Sequence, residues 1–143
     1  MDIDYTEPGI FKVSMVKYIT GMIEKFPFKD ELYTKKGQSP AADHLFMINP
    51  KRKLLTQEKK ECFHMWVAKG LFLCKRARPD IQPAIPFLCS RVNNPDEDDW
   101  KKLLQVLAYL KDTRHIPLQL EGDINLTLNK WYADASFGTH PDL

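Results

Sequence analysis

With 143 residues, 43% of them apolar and 28% charged, and a net charge of +2, the chain has an ordinary globular make-up that excludes wholesale disorder and collagen-like structure. It is long enough for one domain or two small ones and too short for a complete multidomain enzyme. No apolar run nears the roughly 18 to 20 residues that span a bilayer.

The first segment alternates like a strand pair. Ile3 and Tyr5 share one face, Glu7-Pro8-Gly9 supplies a turn, and Phe11 and Val13 resume the alternation. Such a short hairpin needs a sheet to lie against. Ser14 is a plausible N-cap for a helix reaching Phe26, with Met15, Tyr18, Ile19, Met22, Ile23 and Phe26 as a single stripe. Pro27 stops it. Residues 28 to 53 are expected to be mostly irregular, with a joint at Lys35-Lys36-Gly37-Gln38-Ser39-Pro40 and a turn at Asn49-Pro50.

Thr56 can cap a longer helix from Gln57 to Cys74, lined on one side by Phe63, Trp66, Val67, Gly70, Leu71 and Cys74. A break follows at Arg78-Pro79-Asp80. Asp80 is a natural N-cap for a third helix over 81 to 92, in which Pro83 is harmless and Pro86 should kink or divide the helix. For the fourth helix Asn94 is the expected cap and Pro95 the first position, with Asp96-Glu97-Asp98-Asp99 loading the positive end of the dipole. Trp100, Leu103, Leu104, Leu107 and Leu110 form its stripe, and Lys111 ends it. The period then drops to two: Ile116, Leu118 and Leu120 alternate, Glu121-Gly122-Asp123 turns, and Ile124, Leu126 and Leu128 alternate again. The class expected is α+β: an N-terminal β-hairpin, about four helices, and a C-terminal β-hairpin.

Charge is unevenly placed. Residues 1–50 carry six Lys and seven acids, residues 51–94 ten Lys and Arg against three acids, and residues 95–143 five against nine. A basic centre of this kind suggests a local face for a polyanion. Its candidate phosphate contacts are Lys51, Arg52, Lys53, Lys75, Arg76, Arg78 and Arg91, with Lys59, Lys60 and Lys69 riding on the second long helix. Cations near a helix C-terminus are favoured by the dipole in any case, so capping is the competing explanation for part of the cluster. Asp134 stands at a strand end among small neighbours, where one carboxylate can help hold a divalent metal; a turn or cap is the commoner role for such a residue. Asp96 to Asp99 read as helix-start acids. His44, His64, His115 and His140 pair with no cysteine at zinc spacing. Cys62, Cys74 and Cys89 form no C-x-x-C pair and read as small core residues of a reduced compartment. Met1-Asp2-Ile3-Asp4 lacks the basic start of a signal peptide, and an intracellular setting is expected.

Three runs carry a resemblance: Leu71-Phe72-Leu73-Cys74-Lys75-Arg76-Ala77-Arg78-Pro79-Asp80-Ile81-Gln82, Phe87-Leu88-Cys89-Ser90-Arg91-Val92, and Pro95-Asp96-Glu97-Asp98-Asp99-Trp100-Lys101-Lys102-Leu103. In this order they resemble the copia-type retrotransposon polyprotein, at the end of its reverse transcriptase and the junction with ribonuclease H. Upstream Gly9 to Met15, Lys17-Tyr18-Ile19 and Ser39 to Phe46, and downstream Trp131-Tyr132-Ala133-Asp134-Ala135-Ser136-Phe137 with His140-Pro141-Asp142, are similar to the same polyprotein in the same order. The resemblance implies that residues 1–13 end the polymerase palm, 14–113 form the thumb and connection, and 114–143 begin the ribonuclease H-like domain. It implies an RNA–DNA hybrid or DNA duplex as partner, with the rest of the polyprotein. It also implies Asp134 as the first metal-binding carboxylate, with Mg2+ as the family's ion and none expected in the isolated chain.

The departures matter too. The family's Tyr-x-Asp-Asp motif and its other ribonuclease H carboxylates are absent, and Gly70, Pro83 and Pro86 replace helix-compatible residues. The expectation is therefore a fragment that binds nucleic-acid backbone and neither polymerises nor cleaves. The alternatives are a non-functional relic of a transposable element and, less favoured, a metal-dependent nuclease completed by a partner chain.

Overall fold

The computed structural model describes residues 1–48 and 50–122. The strand expected over 124–128, and the segment containing Asp134, lie outside those residues. The described part is α+β, with five α-helices and a three-stranded antiparallel sheet.

Strands β1 (Asp2–Asp4) and β2 (Ile10–Ser14) form the expected hairpin, with Ile3 opposite Val13. Gly9 closes the turn in the left-handed region at φ 80°, a conformation only glycine adopts without strain. The sheet that this hairpin needs is completed by β3 (Leu118–Glu121), which lies against β2 with Phe11 opposite Leu120 and Val13 opposite Leu118. The segment after residue 113 thus returns to the N-terminal hairpin.

Helix α1 spans Val16–Glu24. Ser14 does not cap it: Ser14 is the last residue of β2, paired with Asp2, so the helix begins behind Met15 without a side-chain cap. Helix α2 (Lys29–Tyr33) interrupts the stretch expected to be irregular; Leu32 is its one buried residue. Helix α3 (Gln57–Cys74) has the expected bounds, and the Thr56 side chain accepts from the Lys59 amide. The expected third helix is divided. A 3-10 turn (Pro79–Ile81) precedes α4 (Ala84–Ser90), which places Pro86 in the first turn, where its missing N–H breaks no helical hydrogen bond. Helix α5 spans Glu97–Asp112, and its cap is Asp96 instead of Asn94. Pro95 is held outside the helix because its carbonyl accepts from Leu55 N and the Glu97 amide donates to the Lys53 carbonyl, both at 3.0 Å.

Four aromatic rings join the helices. Phe26 packs edge-on to Trp66 (5.3 Å between centroids) and stacks on Trp100 (5.9 Å), while Phe28 meets Trp100 edge-on at 5.1 Å. Both indoles find acceptors: Trp66 Nε1 donates to the Met22 carbonyl at 3.2 Å and Trp100 Nε1 to Glu31 at 2.7 Å. Burying such rings with their N–H groups satisfied is the largest stabilising contribution per residue in a core of this size.

Two glycines mark close approaches. At Gly70 a Cβ would lie 2.5 Å from Ile85 Cδ1, so the glycine that weakens α3 by propensity lets α4 pack against it. At Gly37 a Cβ would fall on the Ala108 carbonyl of α5, and the Gly37 amide donates to Asp112 at 2.9 Å. The joint at 35–40 is thus pressed onto α5. Gly37→Ala should lower stability by about 2–3 kcal/mol, since backbone cannot move aside as a side chain can. A fall in the urea midpoint with unchanged slope would show it.

Candidate nucleic-acid interface

The seven cations expected at phosphates separate into three groups. Arg78 is inside the protein, with 2% of its surface exposed. Its Nε donates to Asp80 Oδ1 at 2.9 Å and its Nη2 to Asp80 Oδ2 at 2.7 Å, while Nη1 and Nη2 donate to the Thr113 carbonyl (3.1 Å) and hydroxyl (2.7 Å). The guanidinium ties the 3-10 turn to the end of α5. The expectation of an Arg78–phosphate contact is therefore corrected: its donors are consumed by Asp80 and Thr113, out of reach of a backbone phosphate. Asp80 is likewise no helix cap but the partner of Arg78.

Arg52 and Arg91 are drawn to the acidic start of α5. Arg91 pairs with Asp99 at 3.2 Å and Asp96 at 3.8 Å, and Arg52 reaches Asp98 at 3.9 Å. Lys102 joins them from one turn along, 3.0 Å from Asp98. Burial alone would push the Asp98 carboxyl up, but the hydrogen bond and charge of Lys102 outweigh it and hold the group below its usual range. Asp99 goes the other way. Its burial dominates, with the Asp96 charge adding to it, against the Asp96 amide and Arg91. The acids are helix-start groups, as expected: Asp96 accepts from the Asp98 and Asp99 amides at 2.7 and 3.0 Å, and Asp99 accepts from the Asp96 amide at 3.1 Å. This is a capping box, with two arginines and a lysine balancing its charge.

Lys51, Lys53, Lys75 and Arg76 are on the surface. Lys51 and Lys53 lie on the loop before α3; Lys75 and Arg76 lie at its end. Arg76 is not loose: its guanidinium sits 3.7 Å from the Phe72 ring centre and donates to the Phe72 carbonyl at 3.2 Å. Phe72 in turn packs on Tyr18 of α1, with ring centres 5.3 Å apart.

That aromatic pair borders an open groove of about 250 Å³ between α1 and α3, lined by Lys17, Tyr18, Gly21, Met22, Lys25 and Lys69. No carboxylate lines it. Lys17, Gly21 and Lys25 are four residues apart, hence on one face, and the absent side chain at Gly21 leaves space between the two lysines. Neither Lys17 nor Lys25 has an ion-pair partner among the described residues. The Lys69 ammonium lies over the Trp66 ring at 3.9 Å, which sets its stem against the groove wall. Burial pushes the Tyr18 hydroxyl above its ordinary value, opposed by the nearby charge of Arg76. The groove thus combines three ammonium groups with a guanidinium at its aromatic margin. Lys17 and Lys25 do not figure among the candidates read from sequence, because the acids of the first fifty residues mask them in a net count. The i, i+4, i+8 spacing across Gly21 was the available signal.

The magnesium ion implied by the resemblance would need Asp134, which lies outside the described residues. Among the described residues no group of three or more His, Cys, Asp or Glu side chains is arranged to hold a metal. Among the same residues no helix is long and apolar enough to cross a membrane. Comparison with family models, curated proteins and solved structures finds no match to this chain.

Proposed function

We propose that this chain is a thumb-and-connection portion of a copia-type retrotransposon reverse transcriptase, ending in the start of ribonuclease H, and that it grips the backbone of an RNA–DNA hybrid or DNA duplex. The observation that carries the binding reading is the α1–α3 groove, with Lys17, Lys25 and Lys69 along it, Arg76 at its margin, and no acid in its lining. Lysine and arginine on helix flanks contact phosphates without reading bases, so binding should be indifferent to sequence. The order of segments along the chain supports the family reading and names the hybrid as the expected duplex.

Each phosphate neutralised contributes about 0.9 to the slope of log affinity against log salt on duplex DNA. Four cations then give a slope near −3 to −4 and roughly a hundredfold loss of affinity between 50 and 200 mM salt. Fluorescence anisotropy with a labelled RNA–DNA hybrid of two unrelated sequences checks this. Equal affinities and a slope of that size are expected; no binding at low salt, or affinity indifferent to salt, overturns the reading.

A further inference from the structure

A second basic recess lies away from the groove, between α5 and the chain segment that leads from α2 towards α3. Its cavity is about 130 Å³, lined by Lys35, His44, Leu45, Lys101, Lys102 and Gln105 with two alanines beside them. A single water needs about 10–15 Å³ by this kind of measure. The space therefore suits a tetrahedral anion together with part of whatever carries it.

The recess is built, since three hydrogen bonds strap its outer wall to α5. The Gly37 amide donates to Asp112 (2.9 Å), Gln105 Nε2 donates to the Ser39 carbonyl (2.7 Å), and Lys102 Nζ donates to the Met47 carbonyl (2.7 Å). Leu45 is buried beneath them, and Phe46 packs edge-on to Phe87 with ring centres 5.7 Å apart. A wall fixed at three points holds its polar groups in place before any ligand arrives, which lowers the ordering cost of binding.

The charges on that wall are not balanced locally. Lys102 is fully employed: Asp98 at 3.0 Å, the Met47 carbonyl, and the Phe87 ring 4.8 Å from its ammonium. Asp98 is engaged by Lys102 and Arg52. Lys35 and Lys101 line the same cavity with no ion-pair partner among the described residues, and no carboxylate lines it. Two unpaired ammonium groups facing one preformed recess, with His44 alongside, are complementary to a compact anion bearing more than one negative charge.

We propose that this recess binds a phosphate group, held by Lys35 and Lys101 in the space that His44, Lys102 and Gln105 also line. The phosphate could come from a free polyphosphate or from the terminal phosphate of a nucleic-acid strand; the chemistry recognised is the same.

Calorimetric titration of the whole chain with inorganic pyrophosphate tests the free form. Titration with a short single-stranded oligonucleotide, with and without a 5′-phosphate, tests the strand end. Saturable binding of pyrophosphate, or a preference for the 5′-phosphorylated strand, is expected. Lys35→Gln with Lys101→Gln should weaken it about tenfold or more, the loss of two charge-assisted contacts. Lys29→Gln with Lys36→Gln, exposed and outside the lining of both the recess and the groove, should leave it unchanged, and matching unfolding midpoints show that both variants fold. Pyrophosphate binding without a strand-end preference assigns a small free anion, whereas the preference assigns a strand terminus. Absence of both, or equal loss in the two double variants, overturns the site.

Discussion

Arg78→Met should lower the free energy of unfolding by about 3 kcal/mol, the low end of the cost of breaking a buried ion pair. The low end applies because the Asp80 side chain keeps 34% of its surface exposed, so water solvates the stranded carboxylate in part. The variant removes the paired hydrogen bonds to Asp80 and both bonds to Thr113, leaving Asp80 with the Tyr109 hydroxyl at 2.8 Å. Methionine fills most of the arginine stem's volume, so a cavity term is small and the loss reports the polar network. Against a typical total of about 5–15 kcal/mol, such a change is large. Arg78→Lys should recover only part of it, because a single ammonium cannot span the two carboxylate oxygens and the Thr113 carbonyl together.

The same network sets a pH dependence. Burial alone would raise the Asp80 carboxyl, but the hydrogen bonds from Arg78 and Tyr109, with the Arg78 charge, outweigh it and hold the group below its ordinary value. A carboxyl whose value is lowered by folding contributes stability that is present above the ordinary carboxylate range. That stability is lost as pH falls through the lowered value. Wild-type stability should therefore drop on the acid side more than that of Arg78→Met. Urea unfolding at pH 7 and at stepwise lower pH measures both effects. A pH 7 loss under about 1 kcal/mol, as for an exposed pair, would mean that Arg78 does not latch the turn to α5.

The long helices were legible because their periodicity runs over several turns. Thr56 and the stripe from Phe63 to Cys74 predict α3 with its observed bounds, and the Trp100–Leu110 stripe predicts the body of α5. The ends were less so. At α1 the chain uses Ser14 in a strand, and at α5 the pairing of residues 53–55 with 95–97 holds Pro95 outside the helix; both depend on distant partners. Helix α2, with one buried leucine in five residues, offers no period to read.

The basic residues show the same limit. Arg76 and Arg78 are two positions apart with similar neighbours, yet one lies on an exposed phenylalanine and the other is consumed inside. The short Arg78-x-Asp80 spacing was the one local hint of that difference. Lys17 and Lys25 gain meaning only when α3 brings Lys69 alongside them.

Neutralising the groove should have the largest effect on binding. Lys17→Gln, Lys25→Gln, Lys69→Gln and Arg76→Gln together remove four cations while keeping side chains of similar reach. Wild type and the fourfold variant should differ by roughly 3 to 4 in salt slope, so that their affinity ratio is roughly a hundredfold larger at 50 mM than at 200 mM salt. Lys29→Gln with Lys36→Gln, exposed outside the groove lining, should change neither by a comparable amount, which separates the groove from overall charge. Unfolding midpoints within a degree or two of wild type keep the comparison one of binding, since surface substitutions of this kind usually alter stability by less than about 0.5 kcal/mol. The most direct measurement is the salt series on a labelled RNA–DNA hybrid for wild type, the fourfold variant and the control. A slope that collapses only in the fourfold variant is the predicted result; a fourfold variant that binds as tightly as wild type, with the same slope, contradicts the account.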